Sequence, residues 1–297
     1  MAEDAEGAHV RLVSYMSEGS DEPRFGRVVT DGAVDGVVDG VTATDGRFRS
    51  VREVLAAGAL PELAAATQGR AADLPIGSVR LLPPVPDPSK IICAGVNYRS
   101  HLDETRRPDN AYPTLFSRFP DTQIGHDQPA VRPAETSRFD YEGELAVVIG
   151  ARADHVPEAD AAQVVAGYSC YDDLSVRDWQ RHTSQFLPGK NFRATGGFGP
   201  WLVTADEIDD ISAATLRTRV NGELRQEASI SQLIFGIPEL IAYITTFTVL
   251  APGDVIVTGT PGGVGLFRDP PVFLTDGDLV EVEITGIGRL VNPVVAG

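Results

Sequence analysis

Hydrophobic and polar positions alternate in short runs along most of this chain, the period expected of half-buried strands. From Val10 to about Val51 the runs "VRLVSY", "RFGRVVTDG" and "AVDGVVDGV" are separated by Gly and Asp turns, which predicts a small β-rich unit. In "VREVLAAGALPELAAATQGR" the spacing becomes helical, with Gly58, Pro61 and Gly69 as breaks or ends. A helix or helix pair is therefore expected after the strands.

"LLPPVPDPSK", Leu81 to Lys90, concentrates prolines that cannot continue a helix or sit in a central strand. It sets the expected boundary between a small N-terminal domain, 1–80, and a larger one, 81–297. In the larger part "KIICAGV", "GELAVVIG", "PWLVT", "LRTRVNGEL", "DVIVTGT" and "DLVEVEI" read as strands. "PELIAYITTF" reads as a helix, with Pro238 in its first turn and Leu240, Ile241, Ile244 and Phe247 on one apolar face. Strands do not alternate regularly with helices, so the expected class is α+β with β dominating.

"FDYEGELAVVIG" places two carboxylates where a strand enters a core. Side chains two apart share a strand face, so Glu142 and Glu144 point together and repel. An isolated E-x-E is usually a solvated face, but "LAVVIG" looks buried on both sides, which turns the pair toward a cavity or an ion. Hard divalent cations prefer such oxygen donors, and a third carboxylate is then needed. "GYSCYDDLSVRDWQ" offers Asp172, Asp173 and Asp178, and strand alternation alone does not choose among them.

Composition narrows the ligand. The 297 residues carry a formal net charge of −17, which repels phosphate backbones and anionic headgroups, so nucleic acid is not an expected partner. A small anion would need a metal or basic side chains to enter. Cys93 and Cys170 lie far apart and suggest neither a disulfide framework nor a zinc site. "MAEDAEGAHV" has no apolar core and no later run is long enough for a bilayer, so a cytoplasmic, membrane-free protein is expected. "TGTPGGVG" lacks the G-K-[ST] ending of a nucleotide loop.

Taken in order, "GVNYRSHLDE", "PTLFSRFPDTQIGHDQP", "FDYEGELAVVIG", "YDDLSVRDWQ", "GKNFRATGGFGPW", "VNGELRQ", "PGDVIVTGTPGGVG" and "GIGRLVNPV" resemble the fumarylacetoacetate hydrolase family from Val10 to the end. The resemblance implies a mixed β-roll catalytic domain with a smaller N-terminal domain, usually in a homodimer. It implies one Mg²⁺ or Mn²⁺, with Ca²⁺ able to substitute, on Glu142, Glu144 and Asp173. It implies that Arg177, Gln180 and Lys190 face the ligand, that Thr260 contacts a substrate carboxylate, and that His101 and Glu104 activate water. Without it, Arg177 could equally pair with Asp173 or Asp178, and Lys190 could be one more solvated lysine.

The implied reaction is hydrolysis of a carbon–carbon bond in a 1,3-dicarbonyl acid such as an acylpyruvate. Decarboxylation or keto–enol isomerisation of a 2-oxo acid is the alternative, since both pass through a stabilised enolate; a non-enzymatic metal or metabolite binder is a third reading. His9, His126, His155 and His182 are weaker candidates for a base. The chain departs from common family patterns at Arg193 and in "ASIS", Ala228 to Ser231, which leaves the binding of the substrate tail open. Asp172, often Asn in related patterns, adds a charge beside Asp173.

Overall fold

The computed structural model describes residues 10–31, 34–105, 108 and 111–297. His9 and most of the acidic N-terminal stretch lie outside the described residues.

The strand Gly143–Ile149 is the centre of the molecule. Its alternate side chains enter two different cores: Leu145, Val147 and Ile149 pack in one, Ala146 and Val148 in the other. This two-sided burial explains why the run is continuously apolar rather than alternating. It pairs antiparallel with Val165–Asp173 on one side and with Val255–Val257 on the other, inside a twelve-stranded mixed sheet among the described residues.

One core lies between this sheet and a second, five-stranded one, where Leu216, Val282, Ile284 and Leu290 meet Leu145 and Val147. The other lies under the helices Val51–Ala56 and Leu60–Thr67, through Val54, Leu55 and Leu63. The helix pair expected from the sequence is thus formed, and β structure dominates as expected. The N-terminal strands are not a separate sheet: Arg11–Ser17 pairs with Gly196–Thr204 and so extends the central sheet. The expected boundary at residue 80 falls within the strand Val79–Leu82.

The helix Ile237–Phe247 carries Pro238 in its first turn and buries Leu240, Ile241 and Ile244, as its spacing predicts. Phe247 departs from the prediction and is 61% exposed. It sits in the last turn, past the end of the buried stripe, and its ring packs edge-on against Tyr243 at 6.0 Å. Among the described residues no helix is long and apolar enough to cross a membrane. Cys93 and Cys170 are both free and buried.

Candidate functional site

Glu142 lies just before the strand Gly143–Ile149 and Glu144 within it, while Asp173 ends the neighbouring strand. A hydrogen bond of 2.8 Å from Asp173 N to Glu142 O ties the two chain segments together. The three carboxylates are buried, and one oxygen from each lies within 4.8 Å of the others. Alternation left Asp172 and Asp173 as equal candidates; only Asp173 lines the cavity with the glutamates. Asp172 turns away, accepts from Glu142 N at 3.1 Å, and is pushed up to about 7 mainly by burial.

Three buried cations surround the triad. Lys190 Nζ stands 2.5 Å from Glu142 Oε2 and 2.6 Å from Asp173 Oδ2. Arg177 reaches Glu142 Oε1 at 2.6 Å and Asp140 Oδ2 at 2.7 Å, so its partners are neither Asp173 nor Asp178. Asp178 instead accepts from Thr136 Oγ1. Arg118 donates to the other oxygen of Asp173 at 2.5 Å. Burial works against the charge on Lys190, but Asp173 and Glu142 outweigh it and hold the ammonium above its ordinary range. Its two carboxylate partners thus favour the charged ammonium form of Lys190.

The carboxylates respond unequally to these cations. Burial opposes ionisation of Glu142, yet Arg177 and Lys190 bring it down to about 2. Among the described residues Glu144 has no cation as a hydrogen-bond partner and accepts only from Gly259 N at 2.6 Å. Burial, then repulsion from Asp173 and Glu142, pushes its carboxyl well above the usual range. Five buried carboxylates, Asp140, Glu142, Glu144, Asp172 and Asp173, face three buried cations, Arg118, Arg177 and Lys190. An all-oxygen donor set with this imbalance fits a hard ion such as Mg²⁺, Mn²⁺ or Ca²⁺.

Two glycines make this packing possible. Gly259 has φ +109°, and a Cβ there would come 2.7 Å from Asn97 Cβ, so only glycine brings its N–H to Glu144. A Cβ on Gly189 would lie 2.4 Å from Gln180 N. Their close approach sets Lys190 beside the turn Arg177–Gln180.

His101 and Glu104 lie on the helix Arg99–Thr105, with Nδ1 and Oε1 2.7 Å apart. The other oxygen of Glu104 accepts from Gly263 N at 3.0 Å, which fixes the carboxylate from the opposite side. With Nδ1 turned to Glu104, Nε2 is the nitrogen left for a substrate proton. The turn before this helix is pinned by Asn97, whose amide bonds to Phe235 O, Thr258 O and Phe235 N. That clamp holds Val96 at φ +56°, an unusual conformation for a β-branched residue at a cavity wall.

The cavity is about 560 Å³ and gathers His101, Arg177, Gln180, Lys190 and Thr260 with the triad. Gln180 accepts from Arg177 Nη1 at 3.1 Å. The Thr260 hydroxyl donates to Gly143 O and accepts from Gln226 Nε2. Arg193 is exposed and lies outside the cavity lining, as does Ala228–Ser231. Sequence reasoning missed Arg118, Asn97, Gln226 and Asp140. Asp140 continues the two-residue spacing of Glu142 and Glu144, a signal that was present in "FDYEGE".

The fumarylacetoacetate (FAA) hydrolase C-terminal model matches residues 90–295. The chain belongs to the fumarylacetoacetate hydrolase family. It is 40% identical over 291 residues to oxaloacetate tautomerase fahd2, mitochondrial, of Xenopus laevis, covering 96% of this chain and 90% of that one. Among solved family structures, fumarylacetoacetate hydrolase from Exiguobacterium antarcticum is 33% identical with a TM-score of 0.80, covering 97% of this chain and 100% of that one. Maleylpyruvate hydrolase from Sphingobium sp. SYK-6, solved with manganese(II) and pyruvate, is 31% identical with a TM-score of 0.78, covering 97% of this chain and 99% of that one. The family thus includes metal-containing hydrolases and tautomerases of small oxo acids, and this chain carries an acidic triad suited to a divalent ion.

Proposed function

We propose that this protein is a divalent-metal-dependent tautomerase that interconverts the keto and enol forms of a 2-oxo acid such as oxaloacetate. One observation carries the reading: a positioned base, His101 held by Glu104, shares a cavity with two buried cations that face an oxygen-donor triad. Similarity over nearly the whole chain to an oxaloacetate tautomerase supports the choice of reaction.

A divalent ion held by Glu142, Glu144 and Asp173 would supply Lewis-acid polarisation of the 2-oxo-carboxylate oxygens. Arg177 captures the anionic substrate; its Nη2 is buried and has no hydrogen-bond partner among the described residues, so a carboxylate oxygen would satisfy it. Gln180 and Thr260 flank the ligand and limit its orientation. His101 Nε2 removes a proton from the carbon next to the carbonyl, and Glu104 stabilises the resulting imidazolium. Lys190 donates a hydrogen bond to the oxygen on which negative charge develops. The proton returns from His101 to that oxygen, so no atom is lost and the enol is the only product; the reverse direction uses the same groups.

Hydrolysis of an acylpyruvate remains a second reading because the same His101–Glu104 pair can deprotonate water. Water would then add to the distal carbonyl, the carbon–carbon bond would break, and an acid and pyruvate would leave. The test follows enol oxaloacetate by ultraviolet absorbance with Mn²⁺, and products by NMR. Accelerated interconversion with no pyruvate or carbon dioxide supports the tautomerase. Absence of acceleration over the metal-only background, with acylpyruvates cleaved to acid and pyruvate, replaces it with the hydrolase.

A further inference from the structure

The glycine loop beyond Thr260 grips the helix that carries His101. Gly262 N donates to Ser100 Oγ and Gly263 N to Glu104 Oε2, both at 3.0 Å. Ser100 and Glu104 are four apart, so two successive N–H groups hold one face of that helix. A seven-residue helix is too short to be stable alone, and its placement depends on such contacts. Gly263 has φ +103°, and a Cβ there would lie 2.3 Å from Arg225 O. Two adjacent glycines leave the backbone free to turn, so the direction of the Gly263 N–H has to be fixed by groups outside the loop's own side chains.

Arg268 reaches the other side of the same residue. Its Nε donates to Gly263 O at 3.3 Å and to the Tyr141 hydroxyl at 3.0 Å, and that hydroxyl donates to Gly263 O at 2.9 Å. Its Nη2 donates to Arg225 O at 2.9 Å, the carbonyl that crowds Gly263. One guanidinium thus ties the loop to the strand Glu223–Ser229 and rests against a buried tyrosine. Neither Arg268 nor Tyr141 lines the cavity. Phe267, the residue before Arg268, does line it and packs edge-on against the His101 ring at 6.1 Å.

The geometry points to Arg268 as a positioning residue for the base: it fixes the Gly263 carbonyl, hence the N–H that holds Glu104, and through Glu104 the ring of His101. The consequence for turnover rests on the reading of His101 as the base of the proposed reaction. The consequence for the ring's orientation is independent of it.

The test reads the ring and the turnover separately. In the Mg²⁺-loaded protein with isotope-labelled histidine, the Nδ1–H resonance of His101 is identified among the five histidines by its absence in His101→Asn. It should be a slowly exchanging NMR line in wild type and exchange-broadened in Arg268→Gln. Arg268→Lys, which keeps a charged donor, should recover part of it. Tyr141→Phe removes one donor from Gly263 O and keeps the ring, so it should broaden the same line less; it carries the test if Arg268→Gln does not fold. With oxaloacetate as substrate, kcat should fall about 10- to 100-fold in Arg268→Gln, the size of a small displacement of reacting groups, while KM and Mn²⁺ affinity stay within about twofold. An unchanged His101 line in the folded variants, or a loss of Mn²⁺ affinity as large as the loss in kcat, overturns the assignment. If the line responds and wild type shows no turnover, the reaction assignment falls and the positioning role stands; turnover with an unresponsive line gives the reverse.

Discussion

Arg118 Nη1 lies 2.5 Å from Asp173 Oδ1, while Lys190 Nζ lies 2.6 Å from Oδ2 of the same carboxylate. The carboxylate is thus held from two sides, and its orientation toward Glu142 and Glu144 depends on an arginine outside the cavity lining. Arg118 also donates to Thr195 Oγ1 at 2.7 Å and Leu174 O at 3.2 Å, so it fixes the segment as well as the side chain.

Replacing Arg118 by Met should therefore weaken metal binding without touching the ligand cavity. Loss of an outer partner of a ligand typically costs about 10- to 100-fold in metal affinity. Breaking a buried ion pair from one side also destabilises a fold by about 3–5 kcal/mol. Mn²⁺ titration and urea denaturation should show both losses. Unchanged Mn²⁺ affinity in a folded Arg118→Met protein would remove the arginine from the site.

The His101–Glu104 pair makes a separate prediction, because in the proposed reaction it carries protons rather than metal. His101→Asn should lower kcat by roughly 10² to 10⁴ while leaving Mn²⁺ affinity near wild type. Glu104→Gln should have a smaller effect, since the amide can still accept from Gly263 N but no longer stabilises an imidazolium. Full activity in His101→Asn would assign the base elsewhere.

The same contrast shows what a sequence can and cannot disclose. Glu142 and Glu144 were legible because strand alternation and a continuous apolar run force the two carboxylates together at a buried edge, whereas Asp173 came only from the family resemblance, since alternation did not separate it from Asp172. His101 and Glu104 were legible as a helical i, i+3 pair once the family resemblance supplied a reason for them to meet. Arg118 was not, because in "TLFSR" it looks like the solvated end of an edge strand; its partners Asp173, Leu174 O and Thr195 lie more than fifty residues away in the chain. Asn97 and Gln226 act through backbone groups more than one hundred residues away for Asn97 and more than eighty for Gln226 on Gly143, contacts with no local pattern. Phe247 was misplaced for the opposite reason, since periodicity continues to the last residue of a helix and burial does not.

A pH prediction comes from the N-terminal strands. Asp39 accepts from Arg24 Nε at 2.7 Å and from Thr42 N at 2.7 Å, and also from the Tyr15 hydroxyl. Burial alone would raise its carboxyl, but Arg24 and the other donors outweigh burial and hold it below the usual carboxylate range. A depressed folded pKa gives stability that is complete above the unfolded value, near ~4, and is lost as pH falls through the folded one. Asp39→Asn should therefore cost about 1–3 kcal/mol at pH 7, and the gap to wild type should narrow in progressively more acidic buffer. A gap that stays constant from neutral to strongly acidic pH would disconnect the pair from stability.

Glu144 allows the cation requirement to be read without any assay of turnover. Its carboxylate is buried against Asp173 and Glu142, and its one hydrogen bond among the described residues comes from Gly259 N, which the oxygen of a glutamine can equally accept. In chelator, Glu144→Gln should thus be at least as stable as wild type, because like-charge repulsion is removed and the backbone contact is kept. With Mn²⁺ at one hundred times its dissociation constant, wild type should gain about 2.7 kcal/mol by mass action, whereas the variant at the same concentration should gain much less. Thermal denaturation with and without Mn²⁺ measures both differences. Equal metal-induced shifts in the two proteins would exclude Glu144 as a ligand, and a large loss of stability in chelator would show that the glutamate is structural.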